Sequence, residues 1–149
     1  MKTSYGKYHY DDGSIYIGQF DSRGIRHGLG KLDFGDSKRS LYEGEFKNGF
    51  SDGLGNLKTP YFVLQGQFKE GKLDGLGRSV RCDGLRYEGE FRNGEMKGLG
   101  ILTFPDGTHG TPTCEGLFDG LRVVSRKNAR DVVMEAVQVA NAASMIRAM

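Results

Sequence analysis

Tyr42-Glu43-Gly44-Glu45-Phe46-Lys47-Asn48-Gly49 and Tyr87-Glu88-Gly89-Glu90-Phe91-Arg92-Asn93-Gly94 are one octapeptide with a single lysine exchanged for arginine. Leu64-Gln65-Gly66-Gln67-Phe68-Lys69-Glu70-Gly71 is a third copy, Tyr16-Ile17-Gly18-Gln19-Phe20 a fourth, and Cys114-Glu115-Gly116-Leu117-Phe118 a degraded fifth. The first four copies in chain order are each followed by Gly-Leu-Gly: Gly28-Leu29-Gly30, Gly53-Leu54-Gly55, Gly75-Leu76-Gly77 and Gly98-Leu99-Gly100. The central glycines Gly18, Gly44, Gly66, Gly89 and Gly116 fall 22 to 27 residues apart. A period of that size marks a repeat array, in which each unit buries its apolar face only by stacking on its neighbours.

Each unit reads as a β-hairpin. In the first strand Tyr42, Gly44 and Phe46 share one face and Glu43, Glu45 and Lys47 the other, the period of two that a strand imposes. Asn48-Gly49, Glu70-Gly71 and Asn93-Gly94 supply a turn that needs positive φ. The second strand begins at Gly-Leu-Gly, runs in the clearest copy through Ile101-Leu102-Thr103-Phe104, and ends at Pro105-Asp106-Gly107. Asp12-Gly13 and Asp83-Gly84 stand at matching places. Residues Gly6 to Tyr10 look like a second strand lacking its first. Because the apolar face carries bulky, glycine, bulky, an aromatic ring of one strand is expected to lie flat over a neighbouring glycine, where a Cβ would collide.

The repeat accounts for the composition. Glycine makes up 24 of 149 residues and proline only 3, which excludes collagen and a Pro/Gly-rich disordered tract. Hydrophobic residues at 37% and aromatics at 11% can bury surface, though not in a thick core free of glycine. A formal net charge of +2 speaks against a nucleic-acid partner, which requires a concentrated basic patch. Cys82 and Cys114 cannot build a disulfide framework, no secretory leader precedes them, and no stretch approaches the ~18 consecutive apolar residues of a membrane span. The expectation is a cytoplasmic protein.

From Ser125 to Met149 glycine and proline vanish. Asn128-Ala129-Arg130-Asp131 reads as a helix start with Asn128 as N-cap. Ala129, Val133, Ala136, Ala140 and Ala143 then form one face of an amphipathic helix of about five turns. Such a helix is expected to cap the last hairpin, whose edge would otherwise offer unpaired backbone groups. The basic run Arg122, Arg126, Lys127 and Arg130 before it allows a weak contact with an anionic membrane.

Tyr-x-Gly-x-aromatic followed by Gly-x-Gly resembles the MORN repeat. The resemblance covers nearly all of residues 5–120: a half repeat at 5–14, repeats near 15–41, 42–63, 64–86 and 87–113, and a degenerate repeat at 114–120, with a C-terminal capping helix in 121–149. It implies an all-β repeat array, a single-layer antiparallel meander of about ten strands curved into a groove. The ending Leu102-Thr103-Phe104-Pro105-Asp106-Gly107-Thr108-His109-Gly110-Thr111-Pro112, with Glu115-Gly116-Leu117-Phe118 and the final helix, is similar to that of one small member of the family. That similarity implies a monomeric, non-enzymatic adaptor that binds the tail of a class III myosin in actin-based protrusions such as filopodia, stereocilia or the rhabdomere. Two departures stand out: Leu64 replaces the motif tyrosine in the third copy, and Thr59-Pro60-Tyr61 replaces the Asp-Gly turn before it.

By alternation the aromatic face carries Tyr16, Phe20, Phe34, Tyr42, Phe46, Leu57, Phe68, Tyr87, Phe91, Leu102 and Phe104, joined by Tyr8, Tyr10, Leu32 and Phe118. These residues are the candidate partner-binding groove, unless the rings simply pack on one another as a thin core. Arg81, with Thr59 nearby, forms a polar notch among them that would pair with a partner carboxylate, unless a bulge turns it outward. The opposite face shows Glu43, Glu45, Gln65, Gln67, Glu88 and Glu90 beside Lys31, Lys58 and Arg78, which reads as a solvated ladder. Nothing points to catalysis, a metal or a cofactor. His9, His27 and His109 lie in different repeats, His109 with Cys114 is a weak metal pair, and Gly28-Leu29-Gly30 lacks the strand-to-helix setting of a phosphate loop.

Overall fold

The computed structural model describes residues 3–35, 39–105 and 112–148. Eleven strands follow one another in a single open antiparallel sheet whose spatial order equals chain order. They are β1 (Ser4–His9), β2 (Ile15–Phe20), β3 (Arg26–Asp33), β4 (Leu41–Lys47), β5 (Phe50–Lys58), β6 (Phe62–Lys69), β7 (Lys72–Arg81), β8 (Arg86–Arg92), β9 (Glu95–Thr103), β10 (Thr113–Asp119) and β11 (Arg122–Ser125), followed by a helix, α1 (Arg130–Ser144). The strand beyond the expected ten is β11, which follows the degraded copy without a Gly-Leu-Gly to announce it. Asn48 (φ 52°) and Gly49 (φ 86°) take the left-handed conformations of a two-residue hairpin turn. The turn expected at Asp106-Gly107 lies outside the described residues.

Register explains the glycines. Gly6, Gly18, Gly30, Gly44, Gly55, Gly66, Gly77, Gly89, Gly100 and Gly116 pair with one another in succession, forming one row straight across the sheet from β1 to β10. The rings of Tyr16, Tyr42 and Tyr87 lie on Gly30, Gly55 and Gly100, the last glycines of Gly-Leu-Gly. The central motif glycines Gly44, Gly66 and Gly89 answer a different demand: there the neighbouring backbone itself comes too close for a Cβ.

That close approach coincides with a recurring bulge. The pairing shifts between Gly18 and Phe20, Gly44 and Phe46, Gly66 and Phe68, and Gly89 and Phe91. At each, one polar residue of the first strand faces three residues of the second. The irregularity is repaired by side chains: Gln19, Glu45, Gln67 and Glu90 accept the N–H of Leu29, Leu54, Leu76 and Leu99 through Oε1 at 2.7, 2.7, 2.8 and 2.7 Å. The tyrosine hydroxyls donate to the carbonyls of Gln19, Glu45 and Glu90 at 2.8, 2.9 and 3.1 Å. A bulge this wide would otherwise orphan backbone groups at a cost of about 1–3 kcal/mol each.

The helix is not where the sequence placed it. Instead of capping the last hairpin, α1 crosses the polar face over β5 to β9. Glu115 Oε2 accepts the N–H of the N-cap Ala129 at 2.5 Å, and Glu43 Oε2 accepts the Ala148 N–H, just beyond the helix, at 2.8 Å, so two motif glutamates hold the chain on either side of it. Ala136, Ala140 and Ala143 are fully buried, small enough to bring the helix close to the sheet. Arg78 binds Glu88, Gln65 and Asn141 of α1 at 2.8, 3.2 and 3.0 Å. The row expected to be solvated is thus, over these strands, a polar seat for a helix. Ala129, rather than Asn128, is the N-cap, although Asn128 Oδ1 still accepts the Arg130 N–H at 2.9 Å.

Candidate functional site

The aromatic face is the molecule's core as well as its open side. Tyr16, Tyr42, Phe46, Phe68, Tyr87, Phe91 and Leu102 are buried in one cluster with Leu32, Leu73 and Phe118, and Phe20, Leu57 and Phe104 pack half-buried against it. Among the described residues no second sheet covers them. The rings shield each other edge-on: Tyr16 with Phe46, Tyr42 with Phe46, and Tyr42 with Phe68 have centroids 5.1, 5.1 and 5.2 Å apart and planes 82–88° to each other. Such contacts add about 0.5–1.5 kcal/mol beyond area burial. Burial pushes the hydroxyl pKa values of Tyr16, Tyr42 and Tyr87 far above the ordinary phenolic range, helped at Tyr42 and Tyr87 by the carboxylates of Glu45 and Glu90. They therefore remain neutral donors.

What is exposed lies at the margin. Phe34 is 42% and Phe50 54% exposed, and both border a cavity of about 190 Å³ whose walls include Leu32, Tyr42, Phe46, Leu57 and Phe68. Arg26 also lines it. Its guanidinium donates twice to the Gly49 carbonyl, at 3.1 and 2.7 Å, and lies 5.3, 5.9 and 5.6 Å from the ring centroids of Tyr10, Tyr16 and Phe46. Arg26 was not legible as a groove residue.

The third repeat breaks the ladder of rings. Leu64 stands at the tyrosine position and Ser79 pairs opposite it; Leu73, fully buried, fills part of the space above Gly77. Among the described residues no ring pair joins Phe68 to Tyr87. A recess of about 440 Å³ opens there, lined by Leu64, Ser79, Phe91, Met96, Glu95 and Asp119. Arg81 does not form the expected notch. It ends β7, and its exposed guanidinium is bound by Asp83 of the following turn. That pair holds the Asp83 carboxyl below its usual range.

No three His, Cys, Asp or Glu side chains converge in a metal-binding group among the described residues; His109, half of the weak pair with Cys114, is not one of them. Among the described residues no helix is long and apolar enough to cross a membrane.

The family model of the MORN repeat matches residues 1–15, 16–39, 42–60, 65–86 and 87–109, well over half of the chain. Among curated proteins, the MORN repeat-containing protein 4 homolog of Drosophila melanogaster is 46% identical over 44 residues, 30% of this chain. The match spans 21% of that relative's length. The five matched segments fall on the half unit and on the four hairpins from β2 to β9, leaving β10 and β11 outside them, and the chain belongs to the MORN repeat family, a family of protein- and membrane-binding modules rather than enzymes.

Proposed function

We propose that this chain is a protein-binding adaptor of the retinophilin type, which holds a segment of a class III myosin tail against the aromatic face of its sheet, in actin-based protrusions. The observation that carries the reading is the asymmetry of the two faces: α1 lies on the polar one, while no described residue forms a layer over the aromatic one. The resemblance of Leu102–Pro112 and the closing helix to retinophilin supports the choice of partner. Tyr16, Phe20, Tyr42, Phe46, Leu57, Phe68, Tyr87, Phe91, Leu102 and Phe104 make the floor. Phe34 and Phe50 make the rim, and the recess of the third repeat receives an apolar anchor. Arg81, already engaged by Asp83, stays outside this contact set.

The test is calorimetric titration of a class III myosin tail fragment into the whole chain. A Phe34→Ala/Phe50→Ala variant removes two exposed rings without touching the core, and is expected to bind at least about tenfold more weakly. Unchanged affinity removes the groove reading. A second reading rests on Arg126, Lys127 and Arg130, exposed and without an ion pair among the described residues. With about 1 kcal/mol each near an anionic leaflet, they would float the chain with phosphatidylserine vesicles at low salt and release it at high salt.

A further inference from the structure

Nine of the ten glycines in the cross-strand row are required from inside the fold. At each, a Cβ would come within 3.0 Å of neighbouring backbone or of a tyrosine ring. Gly6 is the exception: its nearest neighbour is Cε2 of Phe20 at 3.7 Å, an ordinary van der Waals contact, and its φ is not left-handed. Glycine in mid-strand weakens a sheet, and nothing among the described residues asks for it here.

The repeat shows what is missing. Gly6-Lys7-Tyr8 of β1 stands where Gly30-Lys31-Leu32 and Gly100-Ile101-Leu102 stand in complete units. In those units the preceding strand lays Tyr16 or Tyr87 over the glycine and pairs that tyrosine with the leucine, leaving Leu32 8% and Leu102 4% exposed. β1 is the edge of the sheet, so no strand precedes it among the described residues, and Tyr8 is 55% exposed. Among the described residues no tyrosine ring lies on Gly6.

We propose that the outer edge of β1 is a docking surface distinct from the groove, which accepts an extended segment of a partner protein as an added antiparallel strand. The register of the complete units specifies the guest. An aromatic residue pairs opposite Tyr8 and lays its ring on Gly6, and a glycine two positions later pairs opposite Gly6. The residue between them faces Lys7, which is exposed and forms no ion pair among the described residues. An acid suits that place, since cross-strand pairs of opposite charge are favourable; on the side of the following strand, Lys31 faces Glu43 and Arg78 faces Glu88. The recognised chemistry is aromatic, acidic, glycine, held by main-chain hydrogen bonds along the edge. A second copy of this chain fits poorly. Pairing two β1 edges with Tyr8 opposite Tyr8 sets Tyr10 against Gly6, and pairing Gly6 with Tyr8 sets Lys7 against Lys7. The other edge, β11, contains neither an aromatic residue nor a glycine.

The probe is a fluorescein-labelled peptide with the sequence of residues 84–94, which holds Tyr87-Glu88-Gly89, titrated into the whole chain by anisotropy. Hydrogen exchange locates it. The expected result is saturable binding with new amide protection in β1, weakened about tenfold by Tyr87→Ala in the peptide and by Gly6→Val in the protein. Gly6→Val should leave the melting temperature in place, because a Cβ at Gly6 meets only the Phe20 ring edge, at an ordinary van der Waals distance of 3.7 Å. Absence of saturable binding, protection elsewhere than β1, or equal binding by the Tyr87→Ala peptide overturns the proposal. So does a concentration-dependent dimer of the free protein that Gly6→Val abolishes, since the occupant would then be a second copy.

Discussion

Replacing Gly55 by alanine tests the packing principle of the whole sheet. The added methyl group would fall onto the ring and hydroxyl of Tyr42. The ring cannot slide aside, because Phe46 and Phe68 stand edge-on to it at 5.1 and 5.2 Å, so it must lift. Lifting it forfeits about 2 kcal/mol of buried aromatic surface. The hydroxyl bond to the Glu45 carbonyl, 2.9 Å long, is worth about 1 kcal/mol, and the two edge-on contacts roughly another 1 kcal/mol. Alanine returns about 0.5–1 kcal/mol through the stiffer backbone of the unfolded chain. The net loss is about 3 kcal/mol. With a urea slope of about 2 kcal/mol/M this moves the denaturation midpoint down by about 1.5 M, and the melting temperature by about 6–12 °C. Gly6→Ala is the control, expected to lose nothing. A Gly55→Ala midpoint within about 0.3 M of the parent would falsify the idea that the ring is seated on the glycine.

Glu45→Gln should be close to neutral, because Gln19 and Gln67 make the same bond in their own units; Glu45→Ala orphans the Leu54 amide and should cost about 1 kcal/mol in the same urea assay. Tyr87→Phe removes a buried donor to the Glu90 carbonyl and should lower stability by about 1 kcal/mol, again read by denaturation. Asp21 accepts the Ile25 and Arg23 amides and pairs with Arg23, which holds its carboxyl below the usual carboxylate range. Its stabilisation is therefore complete above the ordinary carboxylate pKa and lost as pH falls through the lower folded value. Thermal melts from pH 5 to pH 2 should show a shallower decline for Asp21→Asn, and an identical decline would contradict this. Ala140→Leu overfills the contact between α1 and the sheet, at about 1–3 kcal/mol; faster tryptic cleavage at Arg126, Lys127 and Arg130 would report the lifted helix.

The hairpins were legible because each octapeptide restates the same alternation, and because Asn48-Gly49 and its relatives admit only one kind of turn. A ring lying on a glycine followed from the same reading, but the rings lie on Gly30, Gly55 and Gly100 rather than on the motif glycines, whose nearest neighbours are backbone atoms; the row across the sheet emerges only from the register. The place of α1 was hidden because Glu43 and Glu115 look like every other motif acid; only the fold reveals that they hold the chain on either side of the helix. Arg81 was left between a notch and an outward turn because Asp83, two residues on, engages its guanidinium within one turn, which alternation along a strand does not register. Arg26 and Leu73 escaped for a related reason. The position opposite the motif phenylalanine holds Arg26, Ser51, Leu73 and Met96 in the four units, so no pattern singles it out. The buried state of the rings was left open by the sequence, since one layer can seal its own face only if the rings stack edge-on.

The gap in the ring ladder at the third repeat has a mechanical meaning. An array whose units touch only their neighbours depends on every joint in turn, and between Phe68 and Tyr87 the edge-on ring contact is missing among the described residues. The helix bridges it from above. Fastened near β10 through Glu115 and near β4 through Glu43, it works as a splint, binding strands that are not adjacent and converting a row of separable links into a body that opens as one.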